Sequence, residues 1–191
     1  MTALELLLSK YRPFEGNRIN MVIDANAQTS GIDGSSRSLS SAADRALLKH
    51  LRSISGLIVT DAATAAAEHY RPSKFAPIQI WSKSSNFQGF SNISADAEHQ
   101  QLTVKHTDDL HLAVAEATLL SRQLLFETGP TVSALLAEAN LIDELCLTVT
   151  GLSNDSEARQ LALNFAQRLG LADMSIVESS QLDNSFFFVM R

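Results

Sequence analysis

Apolar and polar positions along the chain switch repeatedly between a strand period and a helix period. Arg18 to Ile23 and Gly56 to Thr60 are short apolar runs that read as strands. Between them, Ala42 to Ser53 places Leu47, Leu48 and Leu51 on one helical face, with Ser40 or Ser41 to cap the first amides and Asp44 at the positive end of the dipole. Pro77 to Trp81 and Gln101 to Lys105 read as strands, Asp108 or Asp109 opens a helix through Leu120, and Gln123 to Phe126 returns as a strand. Thr131 to Ala139 is a helix, Asp143 to Thr150 a strand, and Asp155 to Gly170 a helix ending on glycine. Met174 to Glu178 and Ser185 to Met190 follow as strands. Such alternation predicts an α/β fold with a mostly parallel central sheet, helices on both faces and an antiparallel C-terminal edge.

Two stretches rich in small polar residues, Gln28 to Ser41 and Ser82 to Asp96, read as loops. Neither leads into a new composition, so a single domain over residues 1–191 is expected. Phe186-Phe187-Phe188-Val189-Met190 predicts a strand buried on both faces or one completing a dimer interface, because such an edge left open invites aggregation.

Composition narrows the function classes. A 45% hydrophobic, 19% charged chain is an ordinary folded one, and 21 acidic against 15 basic residues with no long basic run argue against nucleic acid as a partner. A small anion needs only a few local cations and stays open. No run approaches the ~20 apolar residues of a membrane span. Lys10 and Arg12 follow the first apolar run, the reverse of a secretory signal, which points to the cytoplasm. Cys146 is the only cysteine and sits between Leu145 and Leu147, which suits a buried thiol. The five histidines have no metal-ligand spacing, so no metal is expected, and Ser41, Ser133 and Ser153 lack a nucleophile-elbow context.

One segment carries most of the specific signal: Leu125-Phe126-Glu127-Thr128-Gly129-Pro130-Thr131, followed by Ala134-Leu135-Leu136 and Leu141-Ile142-Asp143-Glu144-Leu145. It resembles the reductase domain of the riboflavin-pathway deaminase/reductase family, where an apolar strand runs into Glu-Gly-Gly-Pro-Thr, a helix and a Val-Asp-Glu-Leu strand. Three further segments fall in family order. Asn20-Met21-Val22, Ile32-Asp33-Gly34 and Ser40 to Arg45 look like its first strand, substrate loop and first helix; Leu57 to Thr64 looks like its apolar strand and Gly-Ala-Gly-Thr turn. Ile80-Trp81-Ser82-Lys83 is placed like the strand and Ser/Thr-Arg pair that receives the adenosine phosphate of NADPH.

The resemblance implies a dihydrofolate-reductase-like fold, NADPH as cofactor, a homodimer, and reduction of 5-amino-6-(5-phosphoribosylamino)uracil or a similar heterocyclic substrate by hydride transfer to C1′. Glu127, Thr128, Gly129, Pro130 and Thr131 would lie at the nicotinamide or pyrophosphate, and Thr64, Ser82 and Lys83 at other parts of the cofactor. Asn26 and Glu127 are the catalytic candidates; for Glu127 the competing role is to hold the loop amides that follow it. Asp24, Asn26, Asp33 and Asp44 are the substrate-side candidates, and Arg45 either decorates its helix or meets a substrate phosphate.

Both glycine-rich turns are eroded. Gly-Ala-Gly-Thr reads Asp61-Ala62-Ala63-Thr64, and Glu-Gly-Gly-Pro reads Glu127-Thr128-Gly129-Pro130. Ala63 adds a methyl where backbone and phosphate would meet, Thr128 adds a β-branched side chain at a turn expected to need positive φ, and Asp61 would set a negative charge beside phosphates. Asn26 replaces the family's aspartate, with Asp24 two residues earlier on what would be the same strand face. Weakened cofactor binding follows. The alternatives are a non-catalytic or repurposed relative with a degenerate NADPH site, or a reductase for another substrate such as a pterin.

Overall fold

A computed structural model describes residues 1–84 and 102–191. Its elements are α1 (Ala3–Ser9), β1 (Gly16–Ile23), α2 (Ala42–Ser53), β2 (Leu57–Asp61), α3 (Ala62–Ala67), β3 (Ile78–Ser82), β4 (Leu102–His106) and α4 (Leu110–Leu120). They continue with β5 (Gln123–Phe126), α5 (Pro130–Glu138), β6 (Glu144–Thr150), α6 (Asp155–Arg168), β7 (Ile176–Leu182) and β8 (Ser185–Met190). The strands form one eight-stranded sheet in the order β4-β3-β2-β5-β1-β6-β8-β7. From β4 to β6 every neighbour is parallel; β8 runs antiparallel to β6 and to β7.

Alternating side chains send each strand's apolar groups into two cores. Ile19, Met21, Leu57, Phe126, Leu147 and Phe188 pack under α4, α5 and α6, while Ile58, Ile80, Leu125, Cys146 and Phe187 pack under α1, α2 and α3. With both faces covered, central strands such as β2 are buried at every position. β8 is likewise buried throughout, but as an internal strand between β6 and β7, so β7 takes the edge.

Helix starts follow capping chemistry. Ser41 accepts the Asp44 amide to open α2, Asn154 accepts the Ser156 and Glu157 amides to open α6, and Pro130 occupies the first turn of α5. Gly170, at φ +91°, terminates the α6 segment in a conformation that disfavours a Cβ. Two helices escape the periodicity. α1 is one apolar run held by a Thr2/Glu5 capping box, and α3 is almost all alanine inside the stretch read as a phosphate turn. β7 extends past Glu178 to Leu182 because its polar residues pair along β8 at an edge that needs no apolar alternation. Most of the second loop expected from composition, from residue 85 to 96, and Gln101 of the expected fourth strand lie outside the described residues. No helix among the described residues is long and apolar enough to cross a membrane.

Candidate functional site

A cavity of about 1000 Å³ opens at the C-terminal ends of β1, β2 and β5, between α2, the α3 turn, α5 and the loop after β1. Four guanidinium groups (Arg37, Arg45, Arg52, Arg71) and four carboxyl groups (Asp44, Asp61, Glu68, Glu127) line it. Basic and acidic side chains are thus equal in number along the cavity lining, in a chain of net charge −6.

Glu127 follows the last residue of β5 and is buried. Arg52 reaches across from α2 to grip both its oxygens, Nε to Oε1 at 2.7 Å and Nη2 to Oε2 at 2.5 Å. The Tyr70 hydroxyl donates to Oε2 as well, and the Arg52 guanidinium lies over the Tyr70 ring at 5.3 Å. Burial, and then the adjacent carboxylate, push the Tyr70 phenol well above its usual pKa, so it stays a donor. For Arg52, burial alone would lower the pKa, but hydrogen bonds to Glu127 and its charge raise it above the ordinary value. The Glu127 carboxylate is therefore engaged by Arg52 and Tyr70 rather than by loop amides, the structural role the sequence suggested. Only its backbone oxygen serves the turn, accepting the Thr60 hydroxyl at 2.7 Å.

Asp61, the last residue of β2, caps α3 and clamps it to α5. Oδ1 accepts the Thr64 amide at 2.9 Å, while Oδ2 accepts the Thr64 hydroxyl at 2.8 Å and the Gly129 amide at 2.7 Å. A Cβ at Gly129 would come within 2.9 Å of the Thr64 hydroxyl oxygen, so a larger residue there requires that hydroxyl to shift. Thr128 does not need positive φ, contrary to the expectation; it is buried, its hydroxyl meets that of Ser133 at 2.8 Å, and Gly129 itself has φ −66°. Ala63 is a helical residue of α3 at the cavity wall. The Thr64 amide and hydroxyl and the Gly129 amide at this junction are thus already taken by a carboxylate.

The cavity floor is polar and sparsely bonded. Asp44, in the first turn of α2, is buried and accepts the Ser40 hydroxyl at 2.5 Å. Burial nonetheless outweighs that bond and pushes its carboxyl above the usual range. Beside it on β1, the Asn20 side-chain oxygen is buried with no hydrogen-bond partner among the described residues. The fully buried Thr148 hydroxyl on β6 also lacks one, although it bears on the Asp44 carboxyl.

Of the residues singled out from sequence, Thr64, Glu127, Thr128, Gly129, Pro130, Thr131 and Asp44 line this cavity. Asp24, Asn26, Asp33, Ser82 and Lys83 do not. β1 ends at Ile23, so Asp24 and Asn26 share a turn instead of a strand face: Asp24 Oδ1 accepts the Asn26 and Gln28 amides, both at 2.8 Å. Asp33 is turned to Ser35, whose hydroxyl at 2.9 Å and amide hold its carboxyl below the usual range. Ser82 closes β3 by accepting the Ser84 amide at 3.0 Å, and the exposed Lys83 lends its carbonyl to the His106 ring. Arg52, Tyr70 and Asn20 were missed. Arg52 sits at helical spacing from Leu48, with nothing local to reveal a carboxylate 75 positions later. No group of three or more metal-ligating side chains capable of holding a metal is found among the described residues.

No protein-family model matches the chain, and no curated protein does so. Solved structures match in fold. A pyrimidine reductase-like protein from Corynebacterium diphtheriae superposes with TM-score 0.68 at 18% identity, covering 100% of this chain and 98% of its own. Riboflavin biosynthesis reductase from Saccharomyces cerevisiae gives TM-score 0.65 at 10% identity, covering 100% and 99%. Dihydrofolate reductase from Enterococcus faecalis, in complex with NADP(H), gives TM-score 0.60 at 13% identity, covering 94% and 97%. The chain has the dihydrofolate-reductase-like fold.

Proposed function

We propose that the chain is a divergent member of the riboflavin-pathway pyrimidine reductases and that the cavity takes a phosphorylated, amino-substituted heterocycle of the kind exemplified by 5-amino-6-(5-phosphoribosylamino)uracil. The observation that carries this reading is the cavity's polarity. The Asp44 carboxyl and the Asn20 side chain make the floor polar, as a nitrogen-rich ring requires, and Arg37, Arg45, Arg71 and His69 at the mouth suit a phosphate. Both recognition elements lie at the C-terminal strand ends, where this class of sheet places its ligands.

NADPH supplies the hydride in such a reaction. The chain's own part is to orient the ring against Val22 and Leu48, to hold the phosphate away from the floor, and to keep Glu127 fixed through Arg52 and Tyr70 so that the β5–α5 turn retains its shape. Thr64, Gly129, Pro130 and Thr131 are the residues that would border the cofactor, which enters only by displacing the Asp61 carboxylate. The clamp favours a second reading, a relative that keeps the substrate half and has lost catalysis. Oxidation of NADPH, followed at 340 nm with the phosphoribosylaminouracil as acceptor, separates the two. Turnover supports the reductase, whereas tight binding of the pyrimidine without NADPH consumption at millimolar cofactor overturns it. The proposal includes a single domain, a cytoplasmic location and a homodimer, the last checked by sedimentation velocity.

A further inference from the structure

Helix α4 is apolar inside and out. Ala113, Val114 and Ala117 turn inward and are buried, as the core face of a covering helix should be. The outward stripe is no more polar: Leu112 is 57% exposed, Leu119 is 86% exposed, and exposed Ala115 and Glu116 lie between them. Glu116 is drawn aside by its ion pair with Lys105 of β4, so its charge is met within the chain. A helix apolar all round belongs in an interior, yet nothing among the described residues covers these leucines. The Phe186–Met190 run, which the sequence offered for a dimer interface, is already used inside the sheet.

The face is complementary to itself. A two-fold axis passing between Ala115 and Glu116 of an antiparallel α4 pair sets Leu112 against Leu119 of the partner subunit. The same operation brings Asp108 and Asp109, just before the helix, to Arg122 of the partner subunit. Asp108 and Arg122 have side chains 74% and 79% exposed, and their ion pairs within the chain, 4.0 Å to His106 and 3.8 Å to Glu15, are long enough to give way. We propose that the outer face of α4 is the surface through which two copies of the chain associate, antiparallel about that axis. Such a contact uses one patch twice and closes at two copies, with opposite ends of the helix dipoles together. α4 is only ~16 Å long, so the contact is smaller than a standard interface and the dimer separates on dilution. This deepens the preceding proposal and rests on its homodimer.

Sedimentation velocity of the full chain from about 1 to 200 µM should show the mass rising from that of one copy toward two. Leu119→Glu alters a side chain exposed in the single copy. It should raise the concentration of half-dissociation at least about tenfold and leave the thermal midpoint of the dilute chain unchanged. Cys146 is buried, so introduced thiols can be read alone. With diamide as oxidant, Leu112→Cys/Leu119→Cys should give a disulfide-linked dimer on a non-reducing gel, and Leu112→Cys should stay monomeric. Within one helix the two positions are ~10 Å apart, too far to bridge. A wild type monomeric throughout, a dimer that Leu119→Glu leaves intact, or equal cross-linking of the single and double variants overturns the proposal. A dimer that survives Leu119→Glu keeps the homodimer and sinks only the α4 surface, and the reductase reading fails separately, by lack of NADPH turnover.

Discussion

Asp61 offers the sharpest quantitative test, because one carboxylate occupies three donors at the junction where the proposed function places the pyrophosphate. A phosphate brought to within ~4 Å of that carboxylate meets a repulsion of about 4 kcal/mol at an effective dielectric near 20. Water and salt at the cavity mouth reduce this to about 1–3 kcal/mol, or roughly 5- to 150-fold in affinity. Asp61→Asn removes the charge and keeps the cap, since Asn opens helices as well as Asp does. With its oxygen on the Thr64 amide, the Asn side chain turns its NH2 to the Gly129 N–H, so that hydrogen bond is lost at a cost of about 1–3 kcal/mol of stability. Titration of wild type and variant with NADPH, and in parallel with reduced nicotinamide mononucleotide, isolates the pyrophosphate. NADPH should bind the variant at least about fivefold more tightly and the mononucleotide equally well. An unchanged NADPH affinity, or an equal gain for the mononucleotide, refutes the electrostatic account of the clamp.

Removing the charge at Glu127 should cost more, since Glu127→Gln leaves the Arg52 guanidinium half-buried without its counter-ion. A loss of about 3–5 kcal/mol, or roughly 6–20 °C in thermal midpoint, is expected by calorimetry, with partial recovery in Arg52→Met/Glu127→Leu; a loss below about 1 kcal/mol contradicts the pairing. Asp44 binds its proton more tightly in the folded chain than in the unfolded one, whose ordinary value is 3.8. Its stabilising contribution is complete below that value and disappears as pH rises through the higher folded pKa, so the stability of wild type relative to Asp44→Asn should fall across that window in urea titrations. A pH-independent difference would count against the buried carboxyl. Cys146 is fully buried with its thiol pKa pushed well up by desolvation, and a thiol reagent at pH 8 should label it only after unfolding.

The fold was legible where side-chain period and burial coincide. Ala42–Ser53, Gln123–Phe126 and Ser185–Met190 have the bounds the pattern predicts, because capping, apolar faces and sheet burial all act locally there. The antiparallel edge was read correctly, yet the strand at that edge is β7, whose alternation is blurred by Ser179, Ser180 and Gln181. At the site, the residues of the β5–α5 turn are neighbours in sequence and were found together. Asp24 and Asn26 were placed on one strand face by counting, but strand β1 ends at Ile23, before either residue, so that rule does not apply. Partners such as Arg52 and Tyr70 for Glu127 come from distant segments, and only the closed sheet brings them into contact.

The position of β1 at the centre of the sheet also governs how the chain reaches its native state. Gly16 pairs with Gln123 and Arg18 with Glu144, so the middle of the sheet stays open until most of the chain is available. Closing such distant pairings makes folding slow relative to helical chains of the same size. Until β5 and β6 arrive, β1 exposes both of its hydrogen-bonding edges and its apolar Ile19, Met21 and Ile23. A nascent chain in that condition is a substrate for chaperones, and truncation before Glu144 should yield aggregates instead of a smaller folded unit.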